Sequence, residues 1–182
     1  MLLLALAAPS LAADNQAVFD GDGAGVDLGT SLNPGGAFTV EFWVAIEDVS
    51  SSSYSTLFEV VDTSDAKNTF YIGYVGTRWQ VETFDVNASE GGSCTDGTEG
   101  ICYTDSITEG DPYHVAVVVD GTALELYIDG VLVDSETLSA SMSWSTEQWV
   151  LGVDTDSGSS FTSDYFSGVM DEVRVWEQAR TE

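Results

Sequence analysis

The chain is 182 residues long and carries 31 acidic residues against four basic ones, a formal net charge of −27. So dense a negative surface repels phosphate backbones and anionic lipid, which excludes nucleic acid and membrane surfaces as partners. With 43% hydrophobic and 11% aromatic residues the chain is not a disordered acidic tail, and its length suits one domain with a good-sized core. Salt relieves self-repulsion on this scale, since the Debye length is about 8 Å at physiological strength and about 3 Å at 1 M. The charge therefore fits a saline habitat, carboxylates gathered around divalent cations, or plain solubility in an extracytoplasmic compartment.

The opening "MLLLALAAPSLAAD" holds an apolar run, Leu2 to Ala8, followed by small residues suited to peptidase cleavage. It is too short to span a bilayer and reads as a secretory signal over residues 1–13, with the mature domain over 14–182 and an extracytoplasmic destination. It lacks the basic residue usual at the head of such a signal, so a misassigned start codon and a clipped longer chain are both readings of it. No later stretch is long and apolar enough to insert in a membrane. "FDGDGAGVD" follows, with Asp20, Asp22 and Asp27 set among glycines that let carbonyls turn inward.

Strand signals then dominate. "AFTVEFWVAI" alternates, with Phe38, Val40, Phe42, Val44 and Ile46 on one side and Thr39, Glu41, Trp43 and Ala45 on the other. "STLFEVV", "NTFYIGYV" and "RWQVETFDV" are each rich in β-branched or aromatic residues. "GGSCTDGTEGICYTD" contains both cysteines of the chain, Cys94 and Cys102, and predicts a disulfide that pins a loop. Closing so short a loop contributes about 2–3 kcal/mol in the chain-entropy model. Two thiolates with no neighbouring histidine make the alternative, a metal site, weak.

"YHVAVVVDGTALELYIDGVLVDSETL" is a meander, divided by hairpin turns at Asp120-Gly121 and Asp129-Gly130. "EQWVLGVD" and "YFSGVMDEVRVW" close the set. No segment has a helical period with caps, and neither a repeat nor a domain boundary is evident. The strand count, about ten to a dozen, predicts an all-β fold, an antiparallel two-sheet β-sandwich or jelly roll.

Four ordered blocks, "FDGDGAGVDLG", "FTVEFWV", "YHVAVVVDGTALELYIDGVLV" and "FSGVMDEVRVW", resemble the laminin G-like module of the concanavalin A-like jelly-roll superfamily. The flavour is similar to the pentraxin-related version found in bacterial secreted proteins. The resemblance implies two packed antiparallel sheets and a role in sugar or protein binding and adhesion. It also implies frequent use as one module of a longer chain, sometimes with calcium on one rim. Where the family often carries an acidic-aromatic pair, this chain has Ala24-Gly25, a departure at the place an inherited metal site would use.

Asp171 poses the sharpest chemical question. Read as an unbroken strand, "FSGVMDEVRVW" puts Val169, Asp171, Val173 and Val175 on one face, a carboxylate in a row of valines. Such a charge needs backbone N–H donors, a basic partner or a cation, because uncompensated burial costs several kcal/mol. Arg174 alternates onto the opposite face in this reading, leaving backbone bonding and calcium. For calcium, a jelly roll sets its first and last strands side by side, bringing Asp171 toward Asp20, Asp22 and Asp27. Asp154, Asp156 and Asp164 form a rival acidic cluster, read as a solvated loop without EF-hand spacing.

Catalytic signatures are absent from the sequence: no E-x-D-x-x-E block, no G-x-S-x-G elbow and no zinc-binding helix motif. Glu125 and Asp129 share a strand face but lie about 13 Å apart, beyond the separation of a glycosidase pair. His114, the single histidine, reads as a half-buried sheet residue. Trp43 and Trp144 are the candidate sugar-stacking residues, one on a polar strand face and one in a loop. The expectation is a secreted, non-catalytic binding module whose partner is a glycan, with calcium as a candidate support; the alternatives are a structural, protein-binding module of a larger extracellular protein and, more weakly, a glycoside hydrolase or lyase.

Overall fold

The computed structural model describes residues 16–50, 54–63, 67–83, 100–104, 106–144, 147–155, 161 and 163–180. The leader-like 1–13, Cys94 and Asp156 lie outside the described residues. Those residues form twelve strands: β1 (Ala17–Asp20), β2 (Val26–Gly29), β3 (Ala37–Ile46), β4 (Tyr54–Asp62), β5 (Lys67–Val75), β6 (Arg78–Thr83), β7 (Gly100–Tyr103), β8 (Pro112–Asp120), β9 (Ala123–Ile128), β10 (Val131–Thr137), β11 (Glu147–Leu151) and β12 (Ser167–Trp176). They make two antiparallel sheets of six, β1-β12-β3-β8-β9-β10 and β2-β11-β4-β5-β6-β7. No helix of the described residues is long and apolar enough to cross a membrane.

The alternation in β3 is what builds the core. Phe38, Val40, Phe42, Val44 and Ile46 are all fully buried, joined on the next strand by Val115, Val117 and Val119. The second sheet answers with Leu57, Phe58, Val60, Phe70, Ile72, Val81 and Trp149. Phe38 meets Phe70 edge-on across the layers at 5.5 Å, an arrangement the ring quadrupoles favour. The two Asp-Gly turns form as expected, with Gly121 and Gly130 at φ 63° and 74°. β1, β2 and β7 are four residues each, too short for a period-two pattern to single out, and only their partners make them strands.

β12 departs from the sequence expectation. Its register against β3 shifts between Asp171 and Arg174, where one extra residue is accommodated and Glu172 adopts φ 51°. The bulge reverses the inward and outward sets. Met170 faces the core before it, Val173 and Val175 pack on the core after it, and Asp171 and Arg174 both point outward. The four-residue row of Val169, Asp171, Val173 and Val175 therefore does not exist.

Candidate functional site

Asp171 is consequently not a charge in a core. Its Oδ1 accepts the N–H of Glu172 at 2.8 Å, within the bulge, and its cross-strand neighbour is Trp43. β1 does lie beside β12, but Asp20 pairs with Ser167, four residues from Asp171 and thus about 13 Å along the strand. Asp20 Oδ1 accepts the N–H of Asp22, and Asp27 Oδ1 that of Gly29, each a local turn. Asp27 belongs to β2, in the other sheet. The structure does not bring the four carboxylates to one point, and among the described residues no group of three His, Cys, Asp or Glu is placed to hold a metal ion.

Of the rival cluster, Asp154 is only 7% exposed and accepts the Ser163 hydroxyl, so it is not the solvated loop residue the sequence suggests. The Asp164 carbonyl accepts the N–H of Thr56. Asp129 Oδ1, in the β9–β10 turn, accepts the N–H of His114 on β8, and Glu125 accepts the Tyr127 hydroxyl. Trp144 is not an open contact: its ring packs 5.3 Å from Phe38 and 5.1 Å from Trp149, and its Nε1 donates to Gly35 O at 2.7 Å. Trp43 does stand on the outward face of the first sheet, half-buried, its ring 5.2 Å from His114.

The second sheet carries a feature that the sequence reading missed. In β6 the apolar Trp79 and Val81 turn to the core, so Arg78, Gln80 and Glu82 turn away from it. Register places Gln80 and Glu82 in rows with outward residues of β4 and β5: Thr56–Gly73–Gln80 in one, Glu59–Tyr71–Glu82 in the next. The Tyr71 ring lies over Gly73, and its hydroxyl donates to Ser55 O. An added Cβ at Gly73 would run into that hydroxyl and that carbonyl, so the glycine is what lets the ring lie down.

This face looks away from the core yet is shielded from water. Thr56, Glu59 and Gln80 are completely buried, while Arg78 and Glu82 form a half-buried margin. Glu59 Oε2 accepts the N–H of Thr155. Among the described residues Gln80 has neither its amide nitrogen nor its oxygen hydrogen-bonded, and the same holds for Thr56 Oγ1, Glu82 Oε1 and Arg78 Nε. Each such atom costs about 1–3 kcal/mol for as long as it is unmet. Burial pushes the Glu82 carboxyl up to about 7, against the opposing pull of the Arg78 charge. Near neutrality Glu82 both donates and accepts. The signal in the sequence was the polar set Arg78, Gln80 and Glu82 alternating in "RWQVETF"; nothing local reveals that this set is buried.

The family described as the concanavalin A-like lectin/glucanases superfamily matches residues 20–182. Among solved structures, the chain is similar to a heptameric SAP-like pentraxin from Limulus polyphemus, at 17% identity and TM-score 0.68, covering 91% of this chain and 77% of that one. Domain 4 of an extracellular arabinanase from Geobacillus stearothermophilus, solved with arabinotriose, aligns at 23% identity and TM-score 0.64, over 91% and 72%. The CBM40 domain of the Ruminococcus gnavus IT-sialidase, bound to α2,3 sialyllactose, aligns at 13% and 0.69, over 92% and 94%. At these identities the likeness shows the fold. Among curated proteins, none matches the chain.

Proposed function

The chain belongs to the laminin G family of the concanavalin A-like lectin/glucanases superfamily, and we propose that it is a non-catalytic module that binds a neutral glycan on the outward polar rows of its second sheet. The observation that carries this reading is the outward row of β6: Arg78 and Glu82, half-buried at its margin, flank Gln80, whose donor and acceptor are both unmet among the described residues. A sugar hydroxyl both donates and accepts, so adjacent hydroxyls of one ring match an amide as an apolar partner cannot. Thr56, Arg78 and Glu82 offer further unmet atoms beside it. The ligand is neutral, because Glu59 and Glu82 flank the patch and the whole chain carries −27. Two fold neighbours were solved with oligosaccharides, which supports a glycan ligand.

The row Glu59–Tyr71–Glu82 invites comparison with a hydrolase pair, its backbones about 9.6 Å apart over two strand spacings. Glu59 is completely buried and holds Thr155, with Tyr71 between the two acids. With Glu59 engaged by Thr155 and Tyr71 standing between the two acids, the row supports binding without turnover. Export to an extracytoplasmic compartment is supported by the leader-like opening and by the acidic surface.

Gln80→Met tests the reading. On an array of neutral oligosaccharides the parent retains a ligand and the variant loses it, while the variant's melting temperature rises, since an unmet buried amide has been replaced by an apolar side chain of similar size. Binding that survives the substitution, a parent that retains no neutral glycan, or a variant that melts lower overturns it. Release of sugar by the parent replaces it with a hydrolase.

A further inference from the structure

The opposite sheet carries a second feature, independent of the glycan reading. Outward residues of β3, β8 and β9 border an open groove of about 130 Å³, floored by Ala116 and Val118 and walled by Glu41, His114, Tyr127 and Arg180. Trp43 stands against His114 at one end. After β12 the chain turns back over this face and is latched by Thr39, whose hydroxyl donates to Gln178 O at 3.1 Å and accepts the N–H of Arg180 at 3.0 Å. The Arg180 guanidinium lies 4.1 Å over the Trp176 ring.

Arg180 is anomalous for its charge. In a chain with 31 acidic residues and four basic ones, acids so outnumber bases that each base is expected to meet one. Arg174 on the same face meets both Glu41, at 3.5 Å, and Glu172, at 2.7 Å. Among the described residues the Arg180 guanidinium, by contrast, makes only its contact with the Trp176 ring. Stacking and the backbone latch hold it at the groove with its hydrogen-bonding fork unpaired among the described residues, and a planar fork of this kind matches a carboxylate bidentately.

We propose that this groove is a second binding site, selective for a single carboxylate on a sugar-sized ligand: a hexuronate unit held by Arg180. The carboxylate takes the guanidinium fork, and the apolar C–H face of the ring lies on Ala116 and Val118. Its hydroxyls reach Tyr127 and His114, both lining the groove. The volume sets the size, since about 130 Å³ falls below the roughly 300–1,000 Å³ of sites for larger ligands. Glu41 and Glu125 set the charge: with these acids beside the groove a second negative group on the ligand meets repulsion, so phosphorylated and polysulfated ligands are rejected.

The test compares methyl β-D-glucuronide with methyl β-D-glucoside, which differ only in carboxylate against hydroxymethyl, by calorimetry and by NMR of the tryptophan indole N–H signals on the full chain. The glucuronide binds and moves the Trp176 signal, and the glucoside does not. Arg180→Gln weakens the glucuronide about tenfold or more and lowers the melting temperature by no more than about 4 °C, because the latch to Thr39 runs through the backbone and only the contact with the Trp176 ring is lost. Arg180→Lys, a point charge without the fork, also fails to restore affinity. Equal binding of the two glycosides, no binding of either, or full glucuronide affinity in Arg180→Gln overturns the proposal. So does loss of glucuronide binding in Gln80→Met, which alters only the other sheet. Failure of the neutral-glycan reading leaves all these outcomes intact.

Discussion

Replacing Glu82 by Gln isolates the electrostatics of the second sheet. Burial lifts the Glu82 carboxyl from its ordinary 4.5 to about 7. At about 1.36 kcal/mol per pH unit that displacement, 7 − 4.5 = 2.5, corresponds to about 3.4 kcal/mol between its two protonation states. Glu82 is half-buried, and solvent screening reduces the share felt in stability to roughly 1–2 kcal/mol. The sign follows from linkage. A carboxyl whose folded value is raised contributes stability fully present below about 4.5, which is lost as the pH climbs through about 7, because over that window the unfolded chain has already given up its proton. Glutamine keeps the shape and cannot ionise. Urea unfolding of parent and Glu82→Gln at fixed salt should therefore agree near pH 4.5 and diverge up to about pH 7, the variant ending roughly 1–2 kcal/mol the more stable, or about 2–8 °C in melting temperature. Above pH 7 the gap stays constant. Taking the difference removes the background titration of the many other carboxylates. A gap that does not change between pH 4.5 and 8, or one that favours the parent as pH rises, would refute the burial of Glu82 as its cause.

Two further substitutions probe the frame that holds these faces. Gly73→Ala forces Tyr71 off the sheet and breaks its bond to Ser55 O, so we expect a loss of about 1–3 kcal/mol in chemical denaturation, with quenching of the tyrosine order seen in near-ultraviolet circular dichroism. An unchanged midpoint would mean that the ring does not lie where it is described. Asp171→Ala removes one exposed turn bond, which costs about 0.5–1.5 kcal/mol. Calcium or chelator then shifts the melting curves of parent and variant alike. A calcium shift seen only in the parent would return Asp171 to a metal site.

The two faces of the sandwich divide the chemistry by their burial. On the second sheet, polar atoms turned away from the core are shut off from water, and the cost of leaving them unmet is what marks the place. On the first, outward side chains such as Glu41, Trp43, His114 and Tyr127 stay in reach of solvent, and the anomaly is one of charge, an arginine without an acid among the described residues where acids are in excess. The same chain thus presents a hydrogen-bonding surface suited to neutral hydroxyls on one side and a cationic fork on the other. Its net charge keeps polyanions from both.

Period-two alternation in the long strands was sufficient, by itself, to specify the sandwich and most of its core. β3, β5, β6 and β8 could bury their apolar sets in no other way, and the Asp-Gly pairs turn where they do because few other residues accept φ above zero. Trp43 was legible as an outward residue for the same reason. The direction of Asp171 was not, because one inserted residue at Glu172 flips every side chain beyond it, and a bulge is chosen by the partner strand rather than by the local pattern. Trp144 looked open because a loop's packing is set by what lies opposite, here Phe38 and Trp149. Gln80 and Arg180 were beyond reach for a related cause. Whether a polar atom finds a partner depends on residues distant in the chain, and only the closed sandwich brings those neighbours together or leaves them out.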